Sequence, residues 1–272
     1  MDQTSIVAAF ERLHDYFIAG GFAVARMTGM ITVMPAFTRV GATGILRGAI
    51  ALALALPLVP IVVQAMADER LTVAAIAILL LKELTVGVVI GLVLGVPFWA
   101  AEAAGDVLDL QRGSTAASLL DPTAMTEESI TGTLFGLAMV ALYYGSGGLT
   151  LTLRTVYESY GVWPAHRFMP IFSMSAGRLM VGLLDDVVSM GVALGAPIMV
   201  CLLLADLLLA LVARAAPHLN IFALTLSVKN LVFALLLTLY CAFLLSYMGE
   251  DLKSLLVAGT RLEAIGPPRL PR

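Results

Sequence analysis

The chain has 272 residues, of which 60% are hydrophobic and 13% are charged, and its mean hydropathy is +0.97. Soluble domains carry about 25% charged residues, so the composition excludes an ordinary soluble domain. It predicts an all-α integral membrane protein, because open sheets cannot lie in lipid. The formal net charge is −3, and the lysines and arginines do not cluster, which argues against nucleic-acid binding.

Six apolar stretches follow one another along the chain, and each has about the 20 residues that cross a bilayer or more. More polar connections are predicted near 102–129 and 154–186, and a polar, mobile tail over about 250–272. Because no linker or internal repeat divides the chain, 1–272 is predicted to form a single membrane-embedded domain. The stretches lie at about 16–38, 44–66, 71–101, 130–153, 187–213 and 221–248.

Charged residues interrupt several of these stretches. A charge at the centre of a membrane helix costs about 2.5–3.5 kcal/mol on insertion scales. Lys82 and Glu83 are adjacent and do not share a helix face, so we expect that they do not pair with each other. The helix is therefore predicted to bend, to break or to be buried against protein at this point. The intramembrane charges are Arg26, Lys82, Glu83, Asp206 and Lys229.

Glycines recur every four residues in the third stretch. Gly87, Gly91 and Gly95 form a double GxxxG pattern, and small residues at this spacing let helix backbones approach closely. The partner helix can belong to the same chain or to another subunit, and the sequence leaves both alternatives open.

Sequence motifs give no support for an enzyme, a cofactor or a metal. The segment from Tyr144 to Gly147 lacks the first glycine of a GxSG motif, and the chain has no GxxxxGK[ST] phosphate loop. Cys201 and Cys241 lie in apolar runs and are predicted to be free thiols. A stand-alone small polytopic transporter or channel stays an alternative, since such proteins carry broken helices and midplane charges.

Two motifs carry a family resemblance. The first has PFW at 97–99, then G-x-x-x-D-x-Q-R-G and a run of small residues that ends in Asp-Pro. The second, R-x-A-P-x-L-N-x-F, lies before the last stretch. Both resemble signatures of the T subunit of the type III secretion export apparatus, which is related to the flagellar R subunit. The matching residues are Gly105, Asp109, Gln111, Arg112, Gly113, Ser114, Asp121 and Pro122 in the first motif and Arg214, Pro217, Asn220 and Phe222 in the second.

The resemblance covers about residues 15–250, and it departs from the family pattern at His218, which replaces a glutamine. It implies a bacterial inner-membrane subunit that helps to form and gate the conduit for unfolded effector proteins. Its helical hairpins would be bent and partly raised towards the periplasm. The implied partners are the R and S subunits of the export gate, the U switch subunit, the V export-gate subunit, unfolded cargo and membrane lipid.

The resemblance also implies that the segment with the D-x-Q-R-G motif is a plug that helps to close the pore. Asp109 and Arg112 are three residues apart, so on a helix they can pair. The small residues from Gly113 to Ser118 suit a movable constriction. The alternative is an interhelical loop whose charges face water. The distribution of Lys and Arg near helix ends predicts cytoplasmic termini.

Overall fold

The computed structural model describes residues 3–41, 43–66, 71–113, 129–168, 176–216 and 221–265, and for 3–11, 221–223, 254 and 257 it describes the backbone alone. Regular structure in this part of the chain is helical and includes no strand, which confirms the all-α prediction. The helices are α1 (Gln3–Val33), α2 (Pro35–Thr38), α3 (Gly44–Ala55), α4 (Val59–Met66), α5 (Val73–Arg112), α6 (Ile130–Gly145), α7 (Gly148–Val162), α8 (Ala176–Ala215), α9 (Ile221–Leu252) and α10 (Ser254–Ile265), with a 3-10 turn at Leu56–Leu58.

Five helical segments of the described chain are long and apolar enough to cross a membrane. They correspond to five of the six predicted stretches, and α6 with α7 makes a sixth if this pair is one broken span. Between the two helices, Gly147 adopts a φ of 78° that favours glycine. The five segments are Arg12–Val33, Gly44–Met66, Val73–Arg112, Ala176–Ala215 and Leu224–Leu252.

Helix α5 is longer than predicted. It begins after Thr72, whose hydroxyl oxygen accepts a hydrogen bond from the Ala75 N–H at 3.3 Å, and it runs for 40 residues with Pro97 inside it. It ends at Arg112, because the next residue, Gly113, adopts a φ of 82° that stops the helix. The predicted connection over 102–129 is therefore wrong for 102–112. The connection over 154–186 is likewise wrong at both ends, because α7 continues to Val162 and α8 begins at Ala176.

The chain forms two compact units, and the first is drawn from Met1–Gly95, Ser146–Leu183 and Ser254–Arg272. Here α1 packs against α3 and α4, and α10 packs against α7. Apolar side chains from four segments meet in one core cluster, because each helix has an apolar face to bury. The buried members of this cluster are Ala19, Phe22, Val62, Leu79 and Ala165.

The second unit is drawn from Val96–Gly145 and Leu184–Lys253. Helix α9 packs against α6, and the Phe98 and Tyr143 rings meet edge to face with their centroids 5.5 Å apart. Both rings are fully buried. These units do not test the predicted single domain over 1–272, which stays a prediction.

The predicted polar, mobile tail over about 250–272 includes helical structure over 254–265. Helix α10 occupies this range, and Leu255, Ala258, Leu262 and Ile265 are buried on one face. Their spacing of three and four residues is that of an amphipathic helix. The prediction of a polar tail rested on the charged residues and prolines of 250–272, so it did not detect this spacing of apolar residues. Residues 266–272 lie outside the described part of the chain.

Candidate functional site

Arg26 is the centre of a buried ion cluster in the first unit. It lies on α1 with its side chain at 0% exposure, and its Nε donates to Glu83 Oε2 on α5 at 2.6 Å. Its two terminal nitrogens donate to Ser159 Oγ at 2.9 Å and to the Trp163 carbonyl at 2.8 Å. The guanidinium carbon also lies 3.5 Å from the centroid of the Tyr160 ring. One side chain therefore joins α1, α5 and the end of α7.

Lys82 and Glu83 form an ion pair, so the expectation that these neighbours do not pair is wrong. Their Cα–Cβ bonds diverge, but both side chains are buried, and the flexible lysine chain brings its ammonium group back to the carboxylate. Lys82 Nζ also donates to the carbonyls of Pro164 at 2.9 Å and Ala165 at 3.1 Å. Helix α5 continues unbroken through both residues. Of the three predicted outcomes, burial against protein is the one observed.

The ion cluster, defined as Arg26, Lys82, Glu83 and the hydroxyl of Ser159, holds two cations and one carboxylate. The excess positive charge faces the carbonyls of residues 163–165. These follow directly on the C-terminus of α7 at Val162, where the helix dipole concentrates negative partial charge. The arrangement therefore compensates the buried cations without a second acidic residue.

Glycines bring α1 and α5 close enough for this cluster to form. A Cβ atom placed on Gly87 would lie 2.1 Å from the Arg26 carbonyl oxygen, and one on Gly91 would lie 2.8 Å from the Met30 carbonyl oxygen. Gly29 on α1 faces α5 in the same way, 2.3 Å from the Leu84 carbonyl. The sequence prediction found Gly87 and Gly91 but missed Gly29. The partner helix belongs to this chain, and Gly95 is also buried.

Asp109 is the centre of a second buried polar cluster, in the second unit. Its Oδ2 accepts hydrogen bonds from Ser129 Oγ at 2.8 Å and from the Thr131 N–H at 3.0 Å. Its Oδ1 accepts from Thr131 Oγ1 at 2.5 Å and from Arg112 Nε at 2.8 Å. The predicted pair of Asp109 and Arg112 is confirmed. We call Asp109, Arg112, Ser129 and Thr131 the Asp109 cluster.

The Asp109 cluster caps the start of α6. Ser129 precedes the helix, and its Oγ accepts a hydrogen bond from the Gly132 N–H at 2.8 Å, while Asp109 accepts from the Thr131 N–H. Helix N-termini leave N–H groups without intrahelical partners and favour negative charge. Two side chains thus satisfy two of these donors. Sequence reasoning missed Ser129 and Thr131, although a serine directly before an apolar run is a recognised start signal.

The other described motif residues extend these contacts. Gln111 Nε2 donates to the Met199 carbonyl on α8 at 2.8 Å. Arg112 lies with its guanidinium carbon 4.6 Å from the centroid of the Phe233 ring on α9, and its Nη1 lies 3.5 Å from Asn230 Oδ1. Gly105 has no room for a side chain, since a Cβ atom there would lie 2.4 Å from the Gly132 nitrogen. From Gly105 to Arg112 the motif is helical, and in this part it is not the predicted loop.

The remaining predicted residues divide into two groups. Lys229 Nζ on α9 donates to Asp206 Oδ2 on α8 at 2.9 Å, a pairing that the sequence analysis did not predict. Arg214 is exposed in the last turn of α8, and the backbone of Phe222 is part of α9. Cys201 and Cys241 are free thiols, as predicted. The predicted positions Ser114, Asp121, Pro122, Pro217 and Asn220 lie outside the described residues.

Comparisons with known proteins point to one family. The sequence model described as bacterial export proteins, family 1, matches residues 17–255. The chain is 32% identical over 228 residues to the Yop proteins translocation protein T of Yersinia pestis, covering 83% of this chain and 86% of that protein. It is 31% identical over 179 residues to the surface presentation of antigens protein SpaR of Shigella flexneri, covering 63% and 68%. It is also similar to the flagellar biosynthetic protein FliR of Caulobacter vibrioides, at 25% identity over 214 residues, covering 79% and 84%.

Proposed function

The chain belongs to the T-subunit family of the type III export apparatus, and on that premise we propose that it lines and gates the conduit for unfolded effector proteins. It is a structural component of an export apparatus and a multi-pass membrane protein. The gating role is proposed for the segment between α5 and α6, which the family resemblance associates with a plug.

The single observation that carries the gating role is the Asp109 cluster. Asp109 lies in the last turn of α5 and binds both Ser129 and Thr131 at the start of α6. The two ends of the 114–128 segment are therefore held side by side by a carboxylate that is almost completely buried. A segment that closes a pore needs such a fixed base, because the free energy of closure is lost if its ends can separate.

The proposed surroundings follow from the same premise. The partners are the R and S subunits of the export gate, together with the U switch subunit and the V export-gate subunit, and the cargo is unfolded secreted protein. The proposed location of the protein is the bacterial inner membrane, with the helical hairpins partly raised towards the periplasm. In the most apolar parts of α8 and α9, only 17% is buried within the chain, which leaves wide apolar faces for other subunits and for lipid.

Catalysis has no part in this proposal. The two buried clusters consist of charges and hydroxyls that bind one another, and they join helices. A stand-alone small transporter or channel is the competing function. It predicts activity of this chain without other subunits, whereas the proposed function requires the assembled apparatus.

Deletion of residues 114–118 tests the gating role. The six apolar segments stay intact, so we expect normal assembly together with increased entry of a small molecule that the membrane normally excludes. The measurement is uptake by cells that express the whole apparatus. Deletion of residues 268–272 serves as the matched control and leaves uptake unchanged. Normal assembly with no added permeability in the first variant would contradict the gating role.

A further inference from the structure

Asp206 presents a half-satisfied carboxylate on an apolar helix. Its Oδ2 accepts from Lys229 at 2.9 Å, and its side chain remains 37% exposed, against 10% for Lys229. Oδ1 has no hydrogen-bond partner among the described residues. Both residues lie in helices that are apolar enough to span a membrane. Because a charge exposed to hydrocarbon is costly, a donor from outside the described residues would stabilise Oδ1.

The depth of Asp206 argues against a lipid headgroup as this donor. Asp206 lies eight residues before Arg214, the charged residue near the end of α8, which is about 12 Å along the helix. The hydrocarbon core is about 30 Å thick. With Arg214 at the membrane surface, Asp206 lies well inside that core. A side chain on another membrane helix can reach it there.

An apolar groove is lined in part by the face of α8 that also carries Asp206. The groove has a volume of about 560 Å³ and is lined by Val107, Leu110, Gln111, Met199, Val200 and Leu203. Met199, Leu203 and Asp206 follow one another at positions i, i+4 and i+7, so they lie on one face of α8. Leu110 and Leu203 are more than half exposed. We call the groove together with Asp206 the Asp206 face.

We propose that the Asp206 face is the docking site for an apolar membrane helix of another export-apparatus subunit. That helix fills the groove with apolar side chains and, about one turn away, presents a basic, hydroxyl or amide donor to Asp206 Oδ1. A lipid acyl chain would fill the groove, but it has no donor for the carboxylate. The inference rests on the proposed function and deepens it by stating which surface meets the partner and which chemistry that partner carries.

The exchange variant D206K/K229D distinguishes loss of partner docking from loss of the ion pair between residues 206 and 229. It keeps an ion pair between α8 and α9 but presents an ammonium group to the partner in place of a carboxylate. We expect wild-type amounts of the chain in membranes and at least a tenfold loss of co-purified export-apparatus subunits. The variant D206L/K229L replaces the pair by apolar residues, which is often neutral for stability, and it should lose the same subunits. Wild-type co-purification with either variant overturns the proposal.

A crosslinking measurement does not depend on how well these variants fold. A benzophenone side chain at Leu203, in an otherwise unaltered chain within the assembled apparatus, should crosslink to another subunit. The matched position is Leu208, which is exposed on a different face of α8, and it should crosslink to that subunit less. Crosslinks from Leu203 to lipid alone, or to no molecule, overturn the proposal. If the wild-type chain co-purifies with no export subunit, the proposed function fails as well. If co-purification is normal but position Leu203 gives no crosslink to another subunit, only this inference is rejected.

Discussion

At the scale of single residues, charge compensation explains how an apolar chain contains buried ions. Arg26 and Lys82 share one carboxylate, Glu83, and direct their remaining donors at Ser159 and at three carbonyls. Every ion of this cluster is therefore bound by protein. Such clusters are sensitive to the loss of one member, because the other charges are then left buried and unpaired.

Glu83→Gln tests this sensitivity. The substitution keeps the shape of the side chain and leaves two buried cations without their carboxylate, so we expect a loss of about 3–5 kcal/mol in the free energy of unfolding. Thermal unfolding of the purified protein in detergent measures it, together with the amount of chain in membranes. Glu158→Gln is the control, because its pair with Arg154 is solvent-exposed and contributes little. Equal midpoints for Glu83→Gln and the wild type would contradict a stabilising cluster.

At the scale of helices, contact between backbones determines where α1 meets α5. The carbonyl of Arg26 and the backbone of Met30 occupy the space that a side chain on Gly87 would need. Small residues at this spacing are a common means of helix association in membranes. The same contact brings Arg26 close to Glu83, so helix packing and ion pairing depend on each other.

Gly87→Ala should separate α1 from α5 and weaken the ion cluster. A Cβ atom at 2.1 Å from a backbone oxygen cannot be accommodated without movement of a helix. We expect a lower unfolding temperature and less chain in membranes. Gly48→Ala is the matched control, since no atom lies within 4 Å of the added Cβ, and alanine in a helix interior is favoured over glycine by about 0.5–1 kcal/mol. Similar behaviour of the two variants would contradict a backbone contact at Gly87.

Leu262→Ala tests the packing of α10 against α7. Leu262 is fully buried, and replacing a buried leucine by alanine destabilises proteins by about 2–5 kcal/mol. We therefore expect α10 to become easier to cleave by a protease added to the solubilised protein. Leu256→Ala is the control, because Leu256 is largely exposed on the same helix. Equal cleavage rates in both variants would indicate that the segment is a loose tail after all.

At the scale of the whole molecule, much of the fold could be predicted from periodicity and composition. The apolar stretches, the free cysteines and the pair of Asp109 with Arg112 agree with the structure. Predictions from the sequence were wrong where contacts between distant segments determine the pairing of charges or the local structure. Burial allows Lys82 and Glu83 to pair as neighbours, and α10 is ordered by its contact with α7. Ser159 and Thr131 could not be assigned to clusters, because their partners lie far away in sequence.

The most direct test of an export-apparatus subunit is the mass and composition of the complex that contains it. The chain is extracted from membranes in mild detergent, and the intact complex is measured by mass spectrometry. We predict one large complex in which this chain occurs with several different small hydrophobic subunits. A monodisperse homo-oligomer of this chain, or the chain alone, would contradict that function and would favour a stand-alone transporter.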